Sequence, residues 1–426
     1  MVWRTYLPLA ALCVLFPLLL LSGCASSSGT GSSHADTWSA DIAVLREELP
    51  QRHKNLFFSI SEEEYHRQLD TLENHLDSLS DAEIEVAIRK LLTDVGDTHT
   101  SLSLSPQRLF PFTFKYFEEG TILLSCTGEY KKYLGMQVIA INDHPIEEIK
   151  AQLAEIIPHA NQAQVWKMYP QYMVMPYYLE GLGIVTGGEA EFTFEDEKGN
   201  RHTVTVTEIP RDSDLQWVQV LQDKAEPPQG PEDIPLYLRN TKVPYWNTYK
   251  EEEKLLYFQY NSCRNDTQNP LPQFLDELLL TRKRQEIETL VVDLRFNGGG
   301  NSLLLRPFIT AMEKDYTEGR DYDLYVIIGR HTFSSAILNA IDLKQKAGAV
   351  LIGEPTSGKP NHYGEVRSIT LPYSGKKLNY STKYFSTYQQ DTDSLYPDVR
   401  VLWSYQNLIH WQDGAMELIR ERDSAR

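Results

Sequence analysis

The sequence predicts a multidomain α/β protein, and three observations predict it. From residue 251 onward, strand-like and helix-like runs alternate, as in LLYFQYNS, LPQFLDELLLTRK, TLVVDLRFN and NSLLLRPFITAMEK. Such alternation implies crossover connections and a largely parallel sheet. Residues 106–215 carry period-two runs such as EFTFE and HTVTVTEI, the mark of half-buried strands. Residues 37–105 show helical periodicity instead. With 426 residues, the chain is long enough for two or three separate cores.

Forty-one Lys plus Arg against 59 Asp plus Glu leave a formal net charge of −18, which argues against a nucleic-acid partner. The 41% hydrophobic share belongs to a folded chain rather than a disordered one. No CxxC, HExxH or clustered His/Asp set stands in the sequence, so no metal or other cofactor is expected.

The N-terminus reads as an export signal over residues 1–23. Arg4 precedes the apolar run YLPLAALCVLFPLLLL, which contains Pro8 and Pro17, and LSGC follows at 21–24. LSGC resembles the bacterial lipobox, and that resemblance implies that Cys24 is lipidated. The stretch 24–36, rich in Ser and Gly, then serves as a flexible tether. The expected product is a lipoprotein held at the cell envelope outside the cytoplasm, with the membrane as partner through its anchor. Two further cysteines remain, Cys126 and Cys263, too few for a disulfide framework and open to one bridge or two buried thiols.

In the helical domain, Ser61 with Glu64 and Ser80 with Glu83 match capping boxes. Ile84, Ala87, Leu91 and Val95 repeat at three- and four-residue steps, and Gly96 stops that helix. His99 then lies on a turn in VGDTHTSLSL. Within 106–215, LGMQVIAINDHPIEEIKAQLAEII gives a strand, a turn at Asn142–Asp143 and a helix, resembling the back half of a PDZ domain. Asp143 replaces the usual glycine there, and no carboxylate-binding loop precedes it. KAEPPQGPEDIP lies in 216–250, which is expected to be a linker.

Two places in the 251–426 domain carry chemistry. In DLRFNGGGN, 293–301, three glycines after a strand expose backbone N–H groups in a nest suited to an anion. Neither GK[ST] nor GxGxxG is present, so a phosphate loop and an oxyanion hole both stay open. In GRHTFSSAILNA, 329–340, Ser334 and Ser335 stand where a strand gives way to a helix. A serine there caps the helix, or it is a nucleophile. Adjacent parallel strands place the two loops side by side.

Taken in order, DTHTSLSL, VVDLRFNGGGN, TFSSAI and IGEPTSGK resemble the tail-specific, or carboxyl-terminal processing, protease family. The resemblance implies a crotonase/ClpP-like α/β catalytic core, an N-terminal helical segment and an inserted PDZ-like domain. It implies Ser334 as nucleophile and Lys359 as general base. It also implies an oxyanion hole from the N–H of Gly298 or Gly299 and that of Ser335. His99 matches the place from which tricorn-type relatives supply a histidine base, with Glu365 as a partner candidate. Two positions depart from the pattern: Ile337 replaces a glutamate, and Tyr363 replaces the glutamine that orients the lysine, leaving Tyr363 or Asn361 for that duty. The expected function is a serine endopeptidase acting on polypeptide substrates near their C-termini. A pseudoprotease that only holds peptides and a hydrolase of small acyl compounds are the alternatives. The expected base is Lys359.

Overall fold

The computed structural model describes residues 34–424; the stretch expected to be an export signal and the LSGC motif lie outside them. The N-terminal helices include α1 (Glu62–Glu73) and α2 (Asp81–Asp94). Ser61 accepts the Glu64 N–H at the start of α1, and Ser80 with Glu83 forms a full capping box at the start of α2. Ile84, Leu91 and Val95 are buried, and Gly96 follows at φ +77°, a conformation that glycine adopts without strain. No helix among the described residues is long and apolar enough to cross a membrane.

The short strand β1 (Ser101–Leu102) leads into the middle unit. Its sheet contains β2 (Phe112–Phe117), β3 (Gly120–Thr127), β4 (Gln137–Ile141), β5 (Glu189–Glu195) and β6 (Arg201–Thr207). Asn142 takes φ +51° at the turn after β4, and α3 (Gln162–Tyr172) comes between β4 and β5. Phe110, Phe112, Phe192, Phe194, Ile149 and Tyr169 share one core there.

The stretch 216–250 is not a linker. β7 (Trp217–Gln219) pairs antiparallel with β3, and β8 (Tyr245–Lys250) pairs along its whole length with β9 (Leu255–Tyr260). The proline-rich segment between them looked like a spacer because its turns are polar, but both its ends supply sheet edges.

After β9 come α4 (Leu271–Arg284), β10 (Thr289–Asp293), α5 (Arg306–Thr317), β11 (Asp323–Ile328), α6 (Ser335–Ala347) and β12 (Val350–Gly353). β9, β10, β11 and β12 are parallel, as the alternation predicts. The strands are apolar on both faces. Leu256, Leu290, Leu324 and Val326 pack with the helices, while Tyr257, Val291, Tyr325 and Ile327 pack with Met416 and Ile419 near the C-terminus.

The boundary of the last domain also differs from expectation. β13 (His362–Thr370) and β14 (Lys377–Phe385) form a hairpin whose second strand pairs with β1. Leu371, Leu378 and Tyr380 are buried in the core of the N-terminal helices. The hairpin therefore completes the first unit, although His362 lies 260 residues after Leu102 in sequence (362 − 102). A last short strand, β15 (Val399–Arg400), returns to the parallel sheet beside β12. Cys126 and Cys263 are separate buried thiols.

Candidate active site

Ser334 follows β11 and immediately precedes α6, at φ +52° and ψ −124°. A residue with a Cβ avoids this region, so the conformation is held by its surroundings. Thr332 Oγ1 donates to Leu294 O at 2.8 Å and accepts Gly329 N–H at 3.0 Å. Phe333 N–H donates to Asn297 O at 3.0 Å. Behind Ser334, the N–H of Ile337 donates to its carbonyl at 2.9 Å. The Ser334 side chain makes no capping bond. The chain thus spends strain on presenting a hydroxyl that does nothing for its helix.

The glycine loop is stitched against this turn. Ser335 Oγ donates to Gly300 O at 2.7 Å, in addition to the Phe333–Asn297 bond. A Cβ on Gly299 would lie 2.9 Å from Ser334 Cβ and 3.0 Å from Phe333 O, so only glycine lets the loops approach this closely. The Gly299 N–H donates to Asn297 Oδ1 at 2.9 Å. It is committed inside the loop, which leaves Gly298 of the two expected donors. Gly298 is exposed and a Cβ there would meet nothing within 4 Å. No protein acceptor takes the N–H of Gly298 or of Ser335 among the described residues. Ser335 is the first residue of the thirteen-residue helix α6, whose dipole favours negative charge at that end.

His99 reaches the same place from the other side of the chain. Its ring stacks on Phe333, the neighbour of Ser334, with centroids 4.7 Å apart, and on His362 at 5.6 Å. The turn that carries it is organised by Asp97, which sequence reasoning passed over. Asp97 Oδ1 accepts the His99 N–H at 3.0 Å and lies 3.8 Å from His99 Nδ1. Asp97 Oδ2 accepts Thr100 Oγ1 at 2.6 Å and bonds His53 Nε2 at 3.0 Å. His53 Nδ1 accepts the Asn55 N–H at 3.0 Å, so its Nε2 carries the proton given to Asp97. Burial alone would raise the Asp97 carboxyl, but the bonds from His53 and His99 outweigh it and hold the group far below the ordinary range. His99 Nε2 is buried with no protein partner among the described residues. One ring nitrogen thus faces a carboxylate, and the other is left for a group not in the chain's own bonding. The DTH spacing was the available signal: an aspartate two residues before a turn histidine bonds its backbone and faces its ring.

Burial, with a smaller contribution from His99, pushes His362 down to about 4, so it stacks as a neutral ring. Its Nδ1 bonds Lys359 O at 2.9 Å.

Lys359 is brought near but differently. Gly358 packs on Phe333 and Ile337, where an added Cβ would fall 3.0 and 3.1 Å away. The Lys359 ammonium turns outward to Asp391 Oδ1 at 3.3 Å. It lines a cavity of about 180 Å³ with Phe58, Asp97, Tyr363 and Asp391, and Ser334 is not in that wall. Neither residue considered for orienting it does so. Tyr363 OH bonds Asn55 at 3.2 Å, and Asn361 bonds the backbone of Thr387 and Tyr388. Ile337, in the place of the expected glutamate, is fully buried in the helix core. Glu365 is exposed on the hairpin at φ +58°, whereas the carboxylate beside His99 is that of Asp97.

Residues 254–401 match the model of peptidase family S41. No curated protein matches the sequence. Among solved structures, mature CPAF is similar at 11% identity and a TM-score of 0.60, covering 91% of this chain and 96% of that one. CPAF complexed with lactacystin is similar at 11% identity and a TM-score of 0.62, covering 91% and 98%. At that identity the likeness speaks for the fold, which extends over nearly the whole described chain. The family's model lies over the parallel sheet, both loops and the hairpin, so that part of the chain is similar to the serine peptidases of family S41.

Proposed function

We propose that the chain is an exported, lipid-anchored serine endopeptidase that cuts polypeptides near their C-termini. Ser334 is its nucleophile, His99 its base and Asp97 the group that orients the base. The observation that carries this reading is the strained, uncapped Ser334 lying against the glycine loop, with His99 stacked on its neighbour. In the reaction, His99 Nε2 takes the proton of Ser334 Oγ as the oxygen attacks the scissile carbonyl. The N–H groups of Gly298 and Ser335 receive the oxyanion. Asp97 stabilises the imidazolium, which then protonates the departing amine. Water attacks the acyl-serine by the same route in reverse.

The family resemblance favours Lys359 as the base instead. Its ion pair with Asp391 and its half-exposed position favour a binding or structural role. The deciding experiment measures peptide release and labelling by a serine-reactive probe. Ser334→Ala and His99→Ala should abolish both, while Lys359→Ala keeps substantial turnover. A dead Lys359→Ala beside an active His99→Ala would return the base to the lysine. Labelling of wild type at Ser334 without release of any peptide would favour the small-acyl hydrolase.

The architecture belongs to the same proposal. We read the parallel sheet as a crotonase/ClpP-like core and the middle sheet, with its Asn142 turn, as PDZ-like. The anchor rests on LSGC and the Ser/Gly tether of the sequence. Cys24→Ala should move the protein from the membrane to the soluble fraction.

A further inference from the structure

Against the glycine loop lies a buried polar cluster that none of the steps above uses. Asn297, Cys263 and Asn339 are at most 1% exposed, and they come from the loop itself, the segment after β9 and the second turn of α6. Asn297 Nδ2 donates to Tyr260 O at 2.8 Å, and Asn297 Oδ1 accepts the Gly299 N–H at 2.9 Å. Turning that amide over would set N–H against N–H and oxygen against oxygen, so the side chain has one orientation. Cys263 Sγ stands 3.5 Å from Asn297 Oδ1 and 3.5 Å from Asn339 Oδ1, with one proton to give between them. Asn339 Nδ2 donates to Ser302 O at 3.0 Å, which ties the far end of the loop to α6.

These bonds hold the loop one peptide at a time. The Cys263 N–H donates to Gly299 O at 3.0 Å, and the Asn301 N–H donates to Cys263 O at 2.8 Å. The carbonyl of Asn297 accepts the Phe333 N–H at 3.0 Å, and that carbonyl shares its peptide plane with the Gly298 N–H. Asn297 thus fixes one plane through its backbone and the next N–H through its side chain. Three glycines in a row have no side chains with which to hold a shape, and glycine has the most backbone freedom to lose. A buried amide is costly unless its donor and acceptor are both paired, and here both are. Filling the core gives no reason for that amide, since an apolar side chain would fill it without the cost.

We propose that Asn297 is the positioning residue of the oxyanion hole: its side chain holds the glycine loop in the shape that commits the Gly299 N–H inward and leaves the Gly298 N–H free. The inference rests on the oxyanion hole proposed above and names the residue that sets it. Cys263 and Asn339 brace Asn297 from behind. An aspartate could not replace it at neutral pH. A carboxylate accepts from Gly299 but has no proton for Tyr260 O, and its charge opposes the charge that develops on the substrate. The protonated acid has both an acceptor and a donor, so it reproduces the pairs of the amide.

Two measurements test this. In wild type, hydrogen exchange resolved to single amides should show the Gly299 N–H exchanging at least about tenfold more slowly than that of Gly298. Equal rates, or a slower Gly298, would overturn the proposal, and this comparison needs no variant to fold. The second measurement follows peptide release by Asn297→Asp and Asn297→Ala from about pH 8 to pH 5.5, with folding checked by near-UV circular dichroism at each pH. At pH 8 both variants should lose about 100- to 1,000-fold in kcat with little change in KM. Burial raises a carboxyl at this position, so the deficit of Asn297→Asp relative to wild type should shrink at least about tenfold toward pH 5.5. That of Asn297→Ala should stay level, and the titration of the catalytic base cancels in each ratio. The ionisable groups packed nearby stay as they are in this window: burial pushes the Cys263 thiol up to about 12 and raises the Tyr260 phenol, and Arg295 is held by Asp293 and Asp413. A deficit of folded Asn297→Asp that is level with pH, or a rise in KM without loss of kcat, would overturn the proposal. Labelling of Ser334 by the serine-reactive probe in wild type reports on the catalytic assignment separately from either measurement.

Discussion

Replacing Ser334 with glycine should abolish activity and make the protein more stable. Ser334 holds φ +52° and ψ −124°, a region that costs a residue with a Cβ roughly 1–3 kcal/mol. Glycine removes that cost, and its own greater loss of freedom on folding returns about 0.5–1 kcal/mol. No capping bond is lost, since the serine side chain makes none. The expected net gain is about 1 kcal/mol, or roughly 2–4 °C in Tm for a domain of this size. Ser334→Ala is the matched control, because it also removes the hydroxyl but keeps the Cβ and hence the strain. Thermal and urea unfolding of both variants should place the glycine form above the alanine form, with neither releasing peptide. A glycine form that unfolds at or below the alanine form would show that the turn is relaxed, and the argument that strain presents the nucleophile would fail.

Two other outcomes follow from the same loops. Gly298→Pro removes the free donor and should lower kcat about 100- to 1,000-fold in a folded protein, while Gly298→Ala keeps the N–H and most of the activity. Gly299 cannot serve for that test, since its φ of +102° excludes proline and its N–H holds Asn297. Gly300→Ala would set a Cβ 2.3 Å from Cys263 O, and urea unfolding should show a loss of about 2–4 kcal/mol. The third outcome concerns acid. Bonds from His53 and His99 depress the folded pKa of Asp97 against the opposing effect of burial, so its contribution to stability is complete above the unfolded value, about 3.9, and is lost as pH falls below it. Asp97→Asn should therefore be destabilised at pH 7, and the gap to wild type should narrow toward pH 2.

The parallel sheet, the two capped helices, the glycine loop and the serine at a strand–helix junction were all determined by sequence alone. Each depends on local physical chemistry: apolar periodicity, a side chain that accepts an N–H three residues on, or a backbone angle open only to glycine. The resemblance to the protease family lies in those same local stretches. Which side chains stand beside that serine depends on tertiary structure. Lys359 follows Ser334 closely in sequence, yet its ammonium turns to Asp391, while His99, 235 residues before Ser334, stacks on the neighbouring phenylalanine. The hairpin 362–385 looks like part of the last domain, but its apolar face finds the helices of the first. Backbone preference and periodicity act over a few residues and can be read from the chain. Which apolar face finds which, and so which charges meet, is decided by burial across the whole fold.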